Sequence, residues 1–461
     1  MNRHRAGKML PWRNALRTHQ TLQKHVLRAA ILGGLSACAG PSTPPPSPAP
    51  PHIAGAPRFP PTGAEAPLLG LFQALDSIGQ PNAAPVALLQ IGDSHTANDS
   101  FASALRDRLQ ARFGNAGRGL LQPGIPFKWF RPEAVSVQAA GFTAISAFSN
   151  STVGPFGIAS VRQHADQPAD ATLTETDGGS IGVAEVEFYA QPGGGTVQVA
   201  APPAAPRSIS TNGAAGAFFV QVPVAPGSTT LTVHANGDGP VDWLSWSTGR
   251  GTQGVTFSNL GIPGSTVAML DRWDQRVAQA ELAHLHPALI IVAFGTNEGF
   301  KPSLDLAAYE QDFEQHLAFL HQAAPGATLI VFGAPDGQRA RYHTVTTVIM
   351  GRHHRKKIIT TEVANPGAGE ACNGQYAIPA LLPQVRAQAQ QAAAAQNAYF
   401  WDWSAAMGGD CAMARWADAV PPLGMPDHVH MRTPGYAITA DALFNTLMRG
   451  FDRYRGATGG A

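Results

Sequence analysis

Ser94, Asp427 and His430 are the residues of this 461-residue chain whose types and spacing could together make a nucleophile. A serine hydroxyl is a weak nucleophile near neutral pH and needs a base, a role suited to the imidazole of His430. Asp427 lies three residues before that histidine. It can reach the other ring nitrogen, fixing the tautomer and stabilising the imidazolium. A serine attacking a carbonyl also needs donors aimed at the oxyanion that forms. The backbone N–H groups of Ser94 and Gly264 and the side-chain amide of Asn297 are three candidates.

These residues are far apart, so a scaffold has to gather them. Ser94 follows Val86-Ala87-Leu88-Leu89-Gln90, which reads as a short buried strand. It precedes a predicted helix over Ser100–Phe113, with Phe101, Leu105, Leu109 and Phe113 at intervals of four. Asp99 or Ser100 is expected to cap that helix and Gly114 to end it. A second strand, Val255-Thr256-Phe257-Ser258-Asn259, runs toward Gly264, with a helix expected over 267–284. The apolar run 288–294 predicts a strand buried on both faces, ending just before Asn297. A helix carrying Tyr309, Phe313, Leu317 and Leu320, a strand at Thr328–Gly333, a helix over 378–396 and a last strand near 398–403 continue the alternation. Asp427 and His430 lead into a final helix with Thr433 as cap and Pro434 at its first position. Such alternation predicts right-handed βαβ units in an α/β, three-layer, doubly wound parallel sheet. The C-terminal strand ends then share one edge, where distant residues converge.

Between 128 and 249 the pattern changes to short β-branched or alternating runs separated by Gly, Pro and Asn, such as 229–234 and 217–222. They predict an all-β sandwich inserted into the α/β fold. The expected layout is a first α/β part at 63–118, the inserted sandwich at 119–249, a second α/β part at 250–455 and a tail at 456–461.

No acidic residue precedes Glu65, while seven basic residues fall within the first 37. Without those seven, 25 basic and 31 acidic residues remain, a net charge of about −6. A mildly acidic chain is a poor nucleic-acid binder, because that affinity rests on phosphate neutralisation. The basic start and the short apolar run 26–34 read as a secretory signal peptide over 1–37. Leu35-Ser36-Ala37-Cys38 resembles a bacterial lipobox, which implies a lipidated Cys38 and a periplasmic protein anchored to a membrane, with Ala39 favouring the outer membrane. The Pro-rich stretch 38–62 is an extended tether. With Cys38 acylated, Cys372 and Cys411 remain either as a disulfide or as two separate thiols. Neither cysteine has the close Cys or His spacing of a zinc site, and no metal or cofactor is expected.

Gly92-Asp93-Ser94, Gly264, Gly295-Thr296-Asn297 and Asp427 with His430 resemble, in order, the four signature blocks of the SGNH (GDSL-type) hydrolases. The resemblance implies Ser94 as nucleophile, Ser94, Gly264 and Asn297 as oxyanion donors, and Asp427 and His430 as orienting acid and base. It favours Gly264 over Gly261 for the oxyanion role. Two positions depart from the usual blocks: His95 follows the serine, and Glu298 stands where Asp is usual. This variant, with its β-sandwich insertion, is similar to Gram-negative peptidoglycan O-acetyl esterases. That implies removal of acetyl from the C6 hydroxyl of N-acetylmuramic acid through an acetyl-serine intermediate, with acetylated glycan as substrate and a carbohydrate-binding-like insertion. Two further readings stay open: an O-acetyltransferase or an esterase for another envelope polysaccharide or lipid, and a glycan-binding lipoprotein without catalysis. His95 is expected to be structural, His428 is an alternative base, 352–357 is read as a solvated charged loop, and Trp243 and Trp246 as packing residues.

Overall fold

The computed structural model describes residues 58–350 and 356–456. The signal segment, Cys38, most of the tether, the centre of the charged run at 352–357 and nearly all of the tail lie outside these residues.

Five parallel strands form the central sheet: Val86–Gly92, Val255–Gly261, Leu289–Ala293, Thr328–Gly333 and Tyr399–Asp402. In space their order is second, first, third, fourth, fifth. The direction of winding reverses beside the first strand, where open α/β sheets place their ligands. Alternate residues of the apolar runs serve opposite faces. Leu88, Ile291, Ile330 and Phe332 pack with Phe101, Leu105 and Leu109 and with Leu443, Phe444 and Leu447 of the C-terminal helix Thr433–Tyr454. Leu89, Ile290, Leu329 and Val331 pack with Leu282, Phe313, Leu317 and Val385 on the other side. Burial on both faces is why these strands read as continuous apolar runs.

The inserted sandwich consists of two antiparallel sheets whose strands all fall between Gly119 and Gly249. One takes Val135–Ala140, Ala169–Glu175, Thr230–Ala235, Thr196–Ala200 and Arg207–Ser210 in spatial order. The other takes Gly216–Val222, Val183–Ala190, Val241–Gly249, Val161–Ala165 and Thr143–Ser146, with Gly119–Leu121 also paired to Val241–Gly249. Leu173, Val199 and Val233 from the first sheet and Val186, Phe188 and Trp243 from the second share one apolar core. Trp243 and Trp246 are buried edge-to-face with ring centroids 4.7 Å apart, so they are packing residues.

Several local expectations need correction. Asp99 holds the N-cap position of the Ser100–Phe113 helix and its carbonyl accepts from the Ser103 N–H at 2.7 Å, but its carboxylate does not cap; it is taken by Arg118 at 3.2 Å, the Glu133 N–H at 2.7 Å and Asn259 at 2.9 Å. The segment 267–284 is two helices, a 3-10 stretch Val267–Arg272 and an α-helix Gln275–Leu285. The carboxylate of Asp274 accepts from the Arg276 and Val277 N–H groups and starts a new helix there. The 378–396 helix begins later, at Leu382, because Pro383 fits only a first turn, and Tyr376–Pro379 is a strand. Arg432, not Thr433, holds the last N-cap position. Long strands Tyr342–Met350 and Lys356–Ala364 form a hairpin on either side of the charged run's centre. Cys372 and Cys411 are joined as a disulfide. Among the described residues no helix is long and apolar enough to cross a membrane.

Candidate active site

Gly92 ends the first strand where a side chain would run into Thr96 and the Ala293 carbonyl. Only glycine lets the chain turn there directly into the one-turn helix Ser94–Ala97. The Asp93 carboxylate accepts from the His95 N–H at 2.9 Å and closes the turn. Ser94 is thereby presented at the C-terminal edge of the sheet.

The loop before the last helix delivers the partners. His430 Nε2 lies 2.8 Å from Ser94 Oγ, and His430 Nδ1 lies 2.7 Å from Asp427 Oδ2. The second Asp427 oxygen accepts from the Val429 and His430 N–H groups at 2.9 and 3.0 Å. Half-burial works against the charge of Asp427, but hydrogen bonds from the His430 ring and these two N–H groups outweigh it. They hold the carboxyl well below its usual range. Asp427 is therefore ionised wherever His430 is called on to take a proton.

The candidate oxyanion donors lie on the turn of Ser94 and on the loops that follow two neighbouring strands of the sheet. As the first residue of a helical turn, Ser94 has an N–H with no intrahelical acceptor. Ile262 to Ser265 form a turn closed by Ser265 N–H on the Ile262 carbonyl at 3.2 Å, with Pro263 and Gly264 in its central positions. Gly264 has φ +80°, the value a type II turn requires at that point, and its N–H is not the one that closes the turn. Asn297 Nδ2 donates to the Ser265 carbonyl at 2.8 Å, which fixes the amide and leaves its second N–H available. Gly261 sits within the strand ladder opposite Gly92, so the structure also separates it from the Gly264 role.

A buried polar layer supports this surface. Glu298 accepts from the Val267 N–H at 2.7 Å and the Gly295 N–H at 3.1 Å. It thus ties the segment following Gly264 to the loop carrying Asn297. Burial pushes Glu298 up to about 7 and Asp93 up to about 6. His95 is fully buried, with Nδ1 2.9 Å from the Tyr436 hydroxyl and its ring 5.1 Å from the ring of His430. Burial first, and the nearby His430 second, push its pKa well down, so it backs the His430 ring as a neutral group. His428 stacks on Tyr376 at 3.6 Å with Nδ1 3.1 Å from Gln338, facing away from the role of base. The anchoring by Glu298 left no sequence signal beyond its place after Asn297. Among the described residues no group of three His, Cys, Asp or Glu could hold a metal ion.

The GDSL-like lipase/acylhydrolase family model matches residues 225–438. That span contains Gly264, Asn297, Asp427 and His430, while Ser94 lies outside it, upstream of the inserted sandwich. The fold and the family match resemble an SGNH, or GDSL-type, hydrolase domain, and the protein is a carboxylic ester hydrolase. It resembles peptidoglycan O-acetyl esterases: a solved structure of a peptidoglycan O-acetylesterase in action, at 5 min, is 26% identical with TM-score 0.67, over 85% of this chain and 98% of that one. A family two carbohydrate esterase from Cellvibrio japonicus is 13% identical with TM-score 0.26, over 69% of this chain and 99% of its own. One from Clostridium thermocellum in complex with cellohexaose is 10% identical with TM-score 0.28, over 67% and 98%. No curated protein matches the chain.

Proposed function

We propose that the protein removes O-acetyl groups from cell-wall peptidoglycan, at the C6 hydroxyl of N-acetylmuramic acid, through an acetyl-serine intermediate. The observation that carries the chemistry is the unbroken chain from Ser94 Oγ to His430 to Asp427. His430 Nε2 takes the Ser94 proton as Oγ attacks the acetyl carbonyl. The oxyanion is met by the Ser94 and Gly264 N–H groups and the free N–H of Asn297. His430 then passes its proton to the departing sugar oxygen, leaving acetyl on Ser94. A water gives its proton to His430, attacks the acetyl carbon, and acetate leaves as Ser94 regains its proton.

The substrate reading is supported by the 26% identical peptidoglycan O-acetylesterase and by the lipobox at Cys38, which would place the enzyme in the periplasm on a lipid anchor, facing the wall. The test is acetate release from O-acetylated peptidoglycan. Wild type should release acetate and Ser94→Ala should not; equal release by the two would overturn the mechanism. Acetate release from acetylated xylan with none from peptidoglycan would overturn the substrate. Transfer of acetyl to a glycan hydroxyl in preference to water would make the protein an acetyltransferase.

A further inference from the structure

We propose that Phe148, contributed by the inserted sandwich, is a platform for the sugar ring that bears the ester and so sets the enzyme's preference for acetylated pyranosides. The proposal rests on the reading of Ser94 as an acetyl-ester nucleophile given above. Its first observation is position. A side chain built on Gly264 would touch the Phe148 ring at 3.3 to 3.4 Å, so the ring lies directly beside the candidate oxyanion turn. Its second is exposure: Phe148 is 54% exposed although it borders a buried core. A ring held beside the candidate oxyanion turn offers an apolar face to a substrate whose carbonyl is bound there.

The third observation is that the segment holding this ring is fixed, and fixed to the hydrolase. Ala147, Phe156 and Ile158 are buried in the apolar cluster of the parallel sheet, not in that of the sandwich. Arg272 donates to the Ser149 carbonyl at 3.0 Å and to the Thr152 carbonyl at 2.6 Å. Thr152 Oγ1 in turn donates to the Ser146 and Ser149 carbonyls at 2.6 and 2.7 Å. Arg272 closes the 3-10 stretch that begins just after the Gly264 turn. The platform and the oxyanion donor are therefore braced by one element, and the ring is positioned before substrate arrives. A pre-positioned ring binds without the ordering cost of a mobile one.

The ligand chemistry follows from the ring. Phe has no polar handle, so it recognises the C–H face of a pyranose and leaves the acetyl carbonyl to the Gly264 side. A short alkyl acetate has no such face and gains nothing from the ring.

The experiment measures kcat/KM for wild type, Phe148→Ala and Phe148→Trp on three substrates: O-acetylated peptidoglycan, a 6-O-acetyl methyl glucopyranoside and ethyl acetate. The expected result is a fall of about tenfold in the pyranoside-to-ethyl acetate ratio for Phe148→Ala, with Phe148→Trp keeping the ratio within about threefold of wild type. A merely structural role would lower both substrates together and leave the ratio unmoved, which would overturn the proposal. A falling ratio with no acetate released from peptidoglycan by wild type would overturn the peptidoglycan reading and uphold the platform. A wild type inactive on all three substrates would overturn both.

Discussion

Asp427 and Glu298 show how two carboxylates near one serine are given opposite tasks. Asp427 is held ionised by three donors, and it can do one thing: keep His430 in the tautomer that accepts the Ser94 proton. Asp427→Asn should lower kcat by roughly 10³-fold or more with a small change in KM. Steady-state kinetics on a small acetate ester checks this, and a change confined to KM would contradict it. Glu298, fully buried, acts through the backbone. Glu298→Ala strands the Val267 and Gly295 N–H groups, at a cost of about 1–3 kcal/mol each. Urea unfolding should show the lowered stability, and acetate release should fall with it because the turn bearing Gly264 loses its tie to Asn297.

At the scale of elements, the parts that were legible in the sequence are those where local pattern and burial agree. The runs at Leu289–Ala293 and Thr328–Gly333 are apolar throughout because both sheet faces are covered, and the Ser100–Phe113 helix shows its buried stripe at intervals of four. The triad and oxyanion blocks were legible because Ser94, Gly264 and Asn297 follow strand ends that the alternation predicts, while Asp427 and His430 lie in the loop before the last helix, which its Thr433-Pro434 start marked in the sequence. The hairpin Tyr342–Met350 with Lys356–Ala364 was not. Its β-branched residues favour strands, but Val345, Val348, Ile358 and Val363 are exposed, so no buried alternation marks it. Phe148 was silent for a similar reason, since its surroundings of Ser and Thr spell a surface turn and its neighbour Gly264 is 116 positions away. The Gly264 turn itself yields a prediction. Gly264→Ala places a side chain at φ +80° and against the Phe148 ring. The backbone cost alone is about 1–2 kcal/mol, and kcat should fall about tenfold or more as the donor shifts. An unchanged kcat would remove Gly264 from the oxyanion role.

Over the whole molecule, the sandwich and the hydrolase are joined partly through buried acid. Glu187, on the Val183–Ala190 strand, and Glu281, on the Gln275–Leu285 helix, meet where Glu187 accepts from Ser245 at 2.7 Å and Glu281 from the Ile158 N–H at 2.6 Å. Burial first, then the partner carboxyl, pushes Glu281 well up, and burial pushes Glu187 up to about 7. Their folded-state pKa values lie above those of the unfolded chain. The stability they confer is therefore complete below about pH 4 and is lost as pH rises through their folded values, about 7 for Glu187. Thermal unfolding should show a lower Tm at pH 8 than at pH 5, with a smaller drop in Glu187→Gln. Identical drops in the two proteins would show that this junction does not titrate. The Cys372–Cys411 disulfide acts on the same scale by closing a loop across a sequence separation of 39 residues. It should contribute roughly 3–4 kcal/mol, seen as a lower urea midpoint for Cys372→Ser.

The catalytic expectations depend on Ser94 Oγ being the atom that takes the acyl group. The direct measurement is mass spectrometry of the protein after reaction with a fluorophosphonate, with the modified peptide sequenced. The expected result is one adduct on the peptide containing Ser94, at a rate that falls by orders of magnitude in His430→Ala, and no adduct in Ser94→Ala. An adduct on another residue with Ser94 unmodified, or labelling indifferent to His430, would contradict it.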